Sequence, residues 1–491
     1  MKKILIAVLL LIAMMMNVLM LSGCDMLNMG GDEEEEWNNE EVEGKINITF
    51  YHTMGANLRT VLNEYLAKFE ALYPNIHVIH EQVGSYDDVR TQIATELTQG
   101  AGPNLAYCYP DHVALYNVAK AVKVLDDLID GGASTTKAGI MADGTVANLG
   151  LTAEEKADFI EGYYNEGKQF GDGKMYTMPF SKSTEVLYYN QTKFEEWAAK
   201  YAETGDEKYN IKVPTTWEEM EDVCKKILEI DPECTPLGYD SEANWFITMC
   251  EQLGTPYTSA ENGGQFLFDN AENKEFVKMF REWYQKGYVT TQELNGGYTS
   301  GLFVAPSTSP HSYMSIGSSA GATHQRPTKD SNGNYPFQVG IAPIPQVNPD
   351  APKVISQGPS ICILEDSDEK VEASWLLVKY LTTNAAFQAD FSIASGYVPV
   401  IKSVASDDVY VESAAGANGG DGIAALSTKV CLEQANAYYT SPAFNGSSAA
   451  RDQVGALMQA CFKISDDADI DAEMDKLFKA AISECNRLAG K

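Results

Sequence analysis

What is scarce in this sequence narrows its function before any motif is read. Basic residues are few: 36 Lys+Arg stand against 69 Asp+Glu, a formal net charge of −33. A nucleic-acid binder needs a basic stripe to release counterions from phosphate backbones, and no Lys/Arg cluster occurs beyond the N-terminus, so that class is excluded. The same imbalance opposes docking on anionic lipid. After Leu21 no apolar run approaches the ~18 residues that cross a bilayer. Cys-x-x-Cys, a P-loop and Gly-x-Gly-x-x-Gly are all missing. No metal or cofactor is therefore expected, and any ATP hydrolysis belongs to another subunit. Hydrophobic residues reach 44% and aromatics 10%, which excludes wholesale disorder. A length of 491 residues suggests two or three domains.

Lys2 and Lys3 precede an apolar run at residues 4–16, and residues 18–21 lead into Ser22, Gly23 and Cys24. Charged, apolar and small segments in that order form a secretory signal. Leu21-Ser22-Gly23-Cys24 resembles a bacterial lipobox, which implies a signal peptide over residues 1–23 and a lipid-modified Cys24. An uncleaved anchor is the alternative, because residues 4–21 are just long enough to span. Residues 24–44, with the acidic run at 32–36, have no hydrophobic period and are expected to form a flexible tether. Of nine cysteines, those beyond Cys24 could pair outside a cell or stay as buried thiols, and the sequence leaves both open.

From Lys45 the texture is α/β. Residues 46–51 alternate like a strand, 57–72 have helical spacing, 76–83 read as a second strand, 87–99 as a helix and 105–109 as a third strand. That βαβαβ order gives a parallel sheet whose strand carboxyl ends form a ligand crevice. Later helices are expected at 217–230, 242–253, 272–286, 368–382, 384–395, 451–463 and 471–487. Strands are expected at 185–189, 337–341 and 360–364, with a Gly/Ser/Pro-rich stretch at 295–321.

Six motifs in one order carry a family resemblance. They are Ile48-Thr49-Phe50-Tyr51-His52, Phe69-Glu70-Ala71-Leu72-Tyr73-Pro74, Gly102-Pro103-Asn104-Leu105, Met175 to Phe180 with Val186-Leu187-Tyr188-Tyr189-Asn190, Pro214-Thr215-Thr216-Trp217-Glu218-Glu219 and Ser395-Gly396-Tyr397-Val398-Pro399-Val400. Over about residues 45–400 the chain resembles the family 1 extracellular solute-binding proteins of bacterial ABC importers, the maltose- and glycerol-3-phosphate-binding type. The resemblance implies a two-lobed, type II periplasmic-binding-protein-like α/β fold. Its mixed sheets are flanked by helices, and three interlobe crossovers allow hinge closure on a ligand. It places lobe 1 at 45–178 plus 316–357 and lobe 2 at 179–315 plus 358–491.

Carried over by motif, the resemblance implies ligand contacts at Tyr86, Ser183, Gly358 and Tyr397. It also implies Ser318 or Ser319 at a crossover serine position, and Trp245 at one of two binding tryptophans. Departures bear on the ligand. Glu242-Ala243 occupies the other tryptophan's place, Asp111 is a shifted candidate for a contact glutamate, and Arg451 is the nearest substitute for a phosphate-gripping arginine whose position falls at residues 445–448. A phosphate dianion wants bidentate Arg or oriented N–H donors, and only Lys182 and Arg451 lie near the motifs. Neutral sugars need hydroxyls, a carboxylate and aromatic faces, which Tyr86, Asp111, Tyr397 and Trp245 could supply. Trp217, Trp283 and Trp375 sit at helical spacing and read as core.

Three other motifs are set aside. Gly317-Ser318-Ser319-Ala320-Gly321 satisfies Gly-x-Ser-x-Gly, yet the only later histidine, His324, follows with no acid between, so no hydrolase triad forms in the required order. His77 and His80 face opposite sides of a strand and read as surface. Asp330 to Asn334 has calcium-loop chemistry without the closing glutamate. The expectation is therefore a lipid-anchored substrate-binding subunit, monomeric and not an enzyme. It would hold a sugar or polyol phosphate outside the cytoplasm and deliver it to a membrane permease. A secreted carbohydrate-active hydrolase and a signalling receptor's binding protein are the alternatives.

Overall fold

The computed structural model describes residues 37–305 and 309–491. Cys24 and the signal and acidic segments to residue 36 lie outside the described residues. The chain divides at Asn38, and of the first unit only Trp37 and Asn38 are described, without regular structure. The second, residues 39–491, contains everything below.

The first sheet grows from the βαβαβ start. Strand β1 (Ile46–His52) is followed by α1 (Ala56–Leu72), β2 (Ile76–Gln82), α2 (Tyr86–Leu97), β3 (Leu105–Cys108) and α3 (Pro110–Val118). Ser85 and Asp88 close a capping box at the start of α2, which fixes where that helix begins. β1 pairs parallel with both β2 and β3. The chain then reaches β4 (Met178–Pro179) and enters a second sheet at β5 (Glu185–Asn190), α4 (Gln191–Thr204), α5 (Trp217–Ile230), β6 (Leu237–Tyr239), α6 (Glu242–Leu253), α7 (Ala271–Gln285), β7 (Val289–Thr291), β8 (Met314–Ser318) and β9 (Val339–Pro343). It returns through β10 (Val354–Ile355) to β11 (Ser360–Ile363), α8 (Asp368–Thr383) and α9 (Ala385–Ser395). The chain ends in α10 (Asp408–Ala415), α11 (Ile423–Glu433), β12 (Tyr438–Tyr439), α12 (Ser447–Phe462) and α13 (Ile470–Leu488).

The sheet orders are β2-β1-β3-β11-β4 and β9-β5-β8-β6-β7. They correct the expected division of the chain. Residues 316–357 were placed with lobe 1, but β8 and β9 pair antiparallel with β5 in the second sheet. Residues from 358 were placed with lobe 2, but β11 pairs antiparallel with β3, and α8 and α9 pack on β1, β11 and α1. A short apolar strand carries no mark of which sheet it will join; its hydrogen-bonding neighbours decide. The expected Gly/Ser loop also hides a central strand, β8. Its small residues suit close packing, since a Cβ on Gly317 would meet Asp240 at 2.8 Å.

The folded part also starts earlier than the expected tether end. His80 N donates to Asn39 Oδ1 at 2.9 Å, and His77 Nε2 lies 3.0 Å from Glu40 O. This segment covers β2, so His77 and His80 are buried, not surface. The large core cluster belongs to the second sheet and holds Trp217 and Trp283, with α12 and α13 packed into it; Trp375 is buried on α8. The eight cysteines described are buried free thiols. No described helix is long and apolar enough to cross a membrane, and no described group of His, Cys, Asp and Glu is arranged for a metal ion.

Candidate functional site

Three passages between the sheets meet side by side. Ser183 and Gln357 exchange backbone hydrogen bonds of 3.0 and 2.8 Å, and Lys182 N donates to Val398 O at 3.0 Å. Gly358 has φ 86°, and a Cβ there would sit 2.5 Å from Ser181 O. Both the conformation and the close approach require glycine. Beneath the crossing Lys182 is fully buried, with Nζ 3.0 Å from Glu166 Oε2. The ammonium also donates to Gly358 O at 3.3 Å and Ser360 Oγ at 3.1 Å. Its three donors are thereby used, so Lys182 has none left for a ligand.

Above the crossing, the carboxyl ends of the first sheet's strands carry a tyrosine cluster. Tyr86, the first residue of α2, has its hydroxyl 3.2 Å from that of Tyr397 and its ring 4.8 Å from that of Tyr109. Tyr109 precedes Pro110 and Asp111, so the N-terminal turn of α3 presents Asp111 to the opposite side. There α12 supplies Ser448, whose Oγ donates to Asp111 Oδ2 at 3.2 Å, and Arg451, whose Nε lies 3.8 Å from the same oxygen. Arg451 Nη1 donates to Asn244 Oδ1 on α6 at 2.6 Å. One helix from each sheet thus contributes to a single clasp across the cleft.

Tyr109, Asp111, Glu166, Tyr257, Ser356 and Arg451 wall a cavity of about 30 Å³. That is room for a water or two, not for a hexose, so a ligand enters only when the two sides separate. A larger, mainly apolar groove of about 350 Å³ lies apart from the cleft, around Tyr410, Thr428 and Leu432 on α10 and α11.

The charges in the cleft balance. Burial works to raise the Asp111 carboxyl, but His112, Arg451 and Ser448 outweigh it and hold it below the ordinary carboxylate value. Asp111 is therefore an anion facing Arg451, as Glu166 faces Lys182. Burial raises the tyrosines Tyr86 and Tyr109 above their usual value, so they stay neutral hydroxyls.

Of the residues that the motifs single out, the structure joins Tyr86 with Tyr397 and Asp111 with Arg451. It sets Ser183, Ser318 and Gly358 in or beside the crossings, with Ser318 Oγ 3.4 Å from Ser183 Oγ. Two lie elsewhere. Trp245 is fully buried in the second core, with Tyr239 stacked at 4.6 Å and Phe280 at 4.1 Å; a helix that turns Asn244 to Arg451 points the next side chain in another direction, into the core. Ser319 is fully buried and exchanges bonds with the backbone of Thr184. Sequence reasoning missed Tyr109, Glu166, Asn244, Tyr257 and Ser356. Only Tyr109 carried a signal, as the residue at the carboxyl end of a parallel strand.

Residues 64–418 match the family model of the bacterial extracellular solute-binding proteins. The chain belongs to that family. Membership makes it a binding protein that works outside the cytoplasm. Among its relatives, the sn-glycerol-3-phosphate-binding periplasmic protein UgpB of Escherichia coli K12 is 23% identical over 367 residues, 72% of this chain and 74% of UgpB. Among solved structures, UgpB of Mycobacterium tuberculosis with glycerophosphocholine covers 90% of this chain and 99% of its own at a TM-score of 0.68 and 16% identity. A Listeria monocytogenes substrate-binding protein with cycloalternan covers 91% and 99% at 0.66 and 16%. These likenesses establish the two-lobed family fold, with the two sheets as the cores of its lobes.

Proposed function

We propose that this solute-binding protein captures a neutral carbohydrate in the cleft between the two sheets and delivers it to the permease of an ABC importer. The observation that carries this reading is charge balance. The cations at the cleft, Arg451, Lys182 and Arg90, each face a carboxylate, at 3.8, 3.0 and 3.3 Å. No uncompensated positive charge is left for a phosphate dianion, while tyrosine faces, serine hydroxyls and Asp111 match a sugar's hydroxyls. Tyr86, Asp111, Ser183, Ser318, Gly358, Tyr397 and Arg451 are read as the ligand-contact and crossing set. Asp111 and Glu166, the carboxylates that line the cavity, each face a cation, which suits binding.

A sugar touching both sides stabilises the closed state by its differential affinity. The monomer is held at the outer membrane face by a lipid on Cys24. A second reading, a glycerol-phosphate ligand, draws on the UgpB relatives and on Arg451. A thermal-shift screen of the full mature chain against maltose, cyclic and linear oligosaccharides, glycerol, sn-glycerol 3-phosphate and glycerophosphocholine separates the two, because a ligand raises stability by mass action. Stabilisation by sugars is expected; stabilisation only by the phosphates overturns the carbohydrate reading. Metabolic labelling with a fatty acid, lost in Cys24→Ala, tests the anchor.

A further inference from the structure

Behind the cleft wall sits a carboxyl group that does not line the cavity. Glu185 opens β5 and is 1% exposed. Its Oε2 accepts from the Tyr239 hydroxyl at 2.6 Å, and the Asn244 side chain is its second hydrogen-bond partner. Asn244 is itself buried and accepts from Arg451 Nη1 at 2.6 Å. An amide has one donor end and one acceptor end. With the donor end engaged by Glu185, Oδ1 has to face Arg451.

We propose that Glu185 is a positioning residue that acts through Asn244 to aim the Arg451 guanidinium into the cleft, and that a proton on Glu185 releases that aim. The inference rests on the reading of the cleft as the ligand site. The charged groups that face Glu185 are Asp240, just after β6, and Arg451 on α12; the phenols of Tyr239 and Tyr439 complete its surroundings. Burial is the main influence and raises the carboxyl to about 7; Asp240 adds to the rise, while Tyr239, Asn244 and Arg451 oppose it. Ionised Glu185 accepts from both Tyr239 and Asn244. Protonated Glu185 keeps only an uncharged oxygen to accept and can hand its own proton to the Tyr239 phenol oxygen at 2.6 Å, so the hydrogen bond that holds the Asn244 amide loses its charge assistance and the Arg451 anchor loosens. Ligand affinity should therefore be higher above about pH 7 and fall below it. By the same arrangement the geometry favours a ligand that draws on directed guanidinium donors, a hydroxyl-rich one in keeping with the balanced charge.

The test follows the Arg451 Nε–Hε resonance of the mature chain, assigned by its loss in Arg451→Lys. In the wild type it should titrate with a midpoint near 7; in Glu185→Gln it should stay flat between about pH 5.5 and 8.5. Tyr239→Phe keeps the ring and removes a donor to the ionised carboxylate, so the midpoint should move upward. Asp240→Asn should move it downward. A wild-type resonance that does not titrate, or a Glu185→Gln variant that keeps the wild-type titration, overturns the proposal.

Calorimetry with maltose and with sn-glycerol 3-phosphate as probes then reads the consequence. The expected loss in affinity is about five- to tenfold from pH 8 to pH 5.5, on the order of ordinary coupling between sites, and Glu185→Gln should show none. If neither probe binds while the resonance titrates, the relay stands and the ligand reading fails. If a probe binds equally at both pH values, the relay fails and the ligand reading stands.

Discussion

Replacing Glu166 by Gln puts the crossing under the most direct strain. The side chain keeps its size, but the charge opposite Lys182 disappears, and that ammonium has no solvent exposure at all. Only neutral acceptors remain, Gly358 O at 3.3 Å, Ser360 Oγ at 3.1 Å and the amide oxygen of the new glutamine. Removing one half of a buried ion pair leaves an uncompensated charge and costs about 3–5 kcal/mol. Against a typical total stability of about 5–15 kcal/mol, this is a large fraction. The loss comes from the stranded cation and not from the pair's own net worth, since two buried ions also have to be desolvated. Lys182→Met added to Glu166→Gln should therefore recover most of it. Urea unfolding followed by tryptophan fluorescence reads the change as a shift in midpoint at constant slope. A loss below about 1 kcal/mol in Glu166→Gln, or a double variant less stable than the single one, would refute the reasoning.

Three further outcomes are expected. Gly358→Ala forces a side chain into a left-handed conformation 2.5 Å from Ser181 O; a loss of roughly 1–3 kcal/mol from strain alone should appear in thermal unfolding, together with weaker ligand binding. Trp245→Ala empties a core position and should cost about 3–5 kcal/mol, while Trp245→Phe should leave calorimetric affinity unchanged, and a selective loss of affinity in Trp245→Phe would return that residue to the site. Glu185→Gln should gain stability over the wild type as pH rises. The folded-state carboxyl is raised from 4.5 to about 7, so its contribution is fully present below pH 4.5 and lost by about pH 7; the difference amounts to ~3 kcal/mol, and equal stabilities of the two proteins at pH 5 and pH 8 would contradict it.

Much of the fold was legible because it depends on local repetition. Leu62, Tyr65, Leu66 and Phe69 recur at helical spacing and become the buried face of α1. Ile46, Ile48 and Phe50 alternate and become buried positions of β1. Punctuation by Gly102-Pro103 and the acid-rich start at Thr216 and Glu219 placed element ends well, since caps and breakers act within a few residues. Strand β8 escaped because a central strand with Ser315 and Gly317 shows neither alternation nor bulk; both its neighbours had to be known first.

The sequence by itself determined the class of protein. Its ordered motifs, acidic balance and α/β periodicity come from short-range pattern and composition, and these survive without knowledge of distant contacts. Only the tertiary structure decided which strand joins which sheet, that Lys182 is buried against Glu166, and that Asn244 rather than Trp245 reaches Arg451. It alone brought Asp111 to within 3.8 Å of Arg451. Helical spacing defines a stripe but not the partner it meets, and partners hundreds of residues apart along the chain are chosen by packing and hydrogen bonding between elements, which no local pattern encodes.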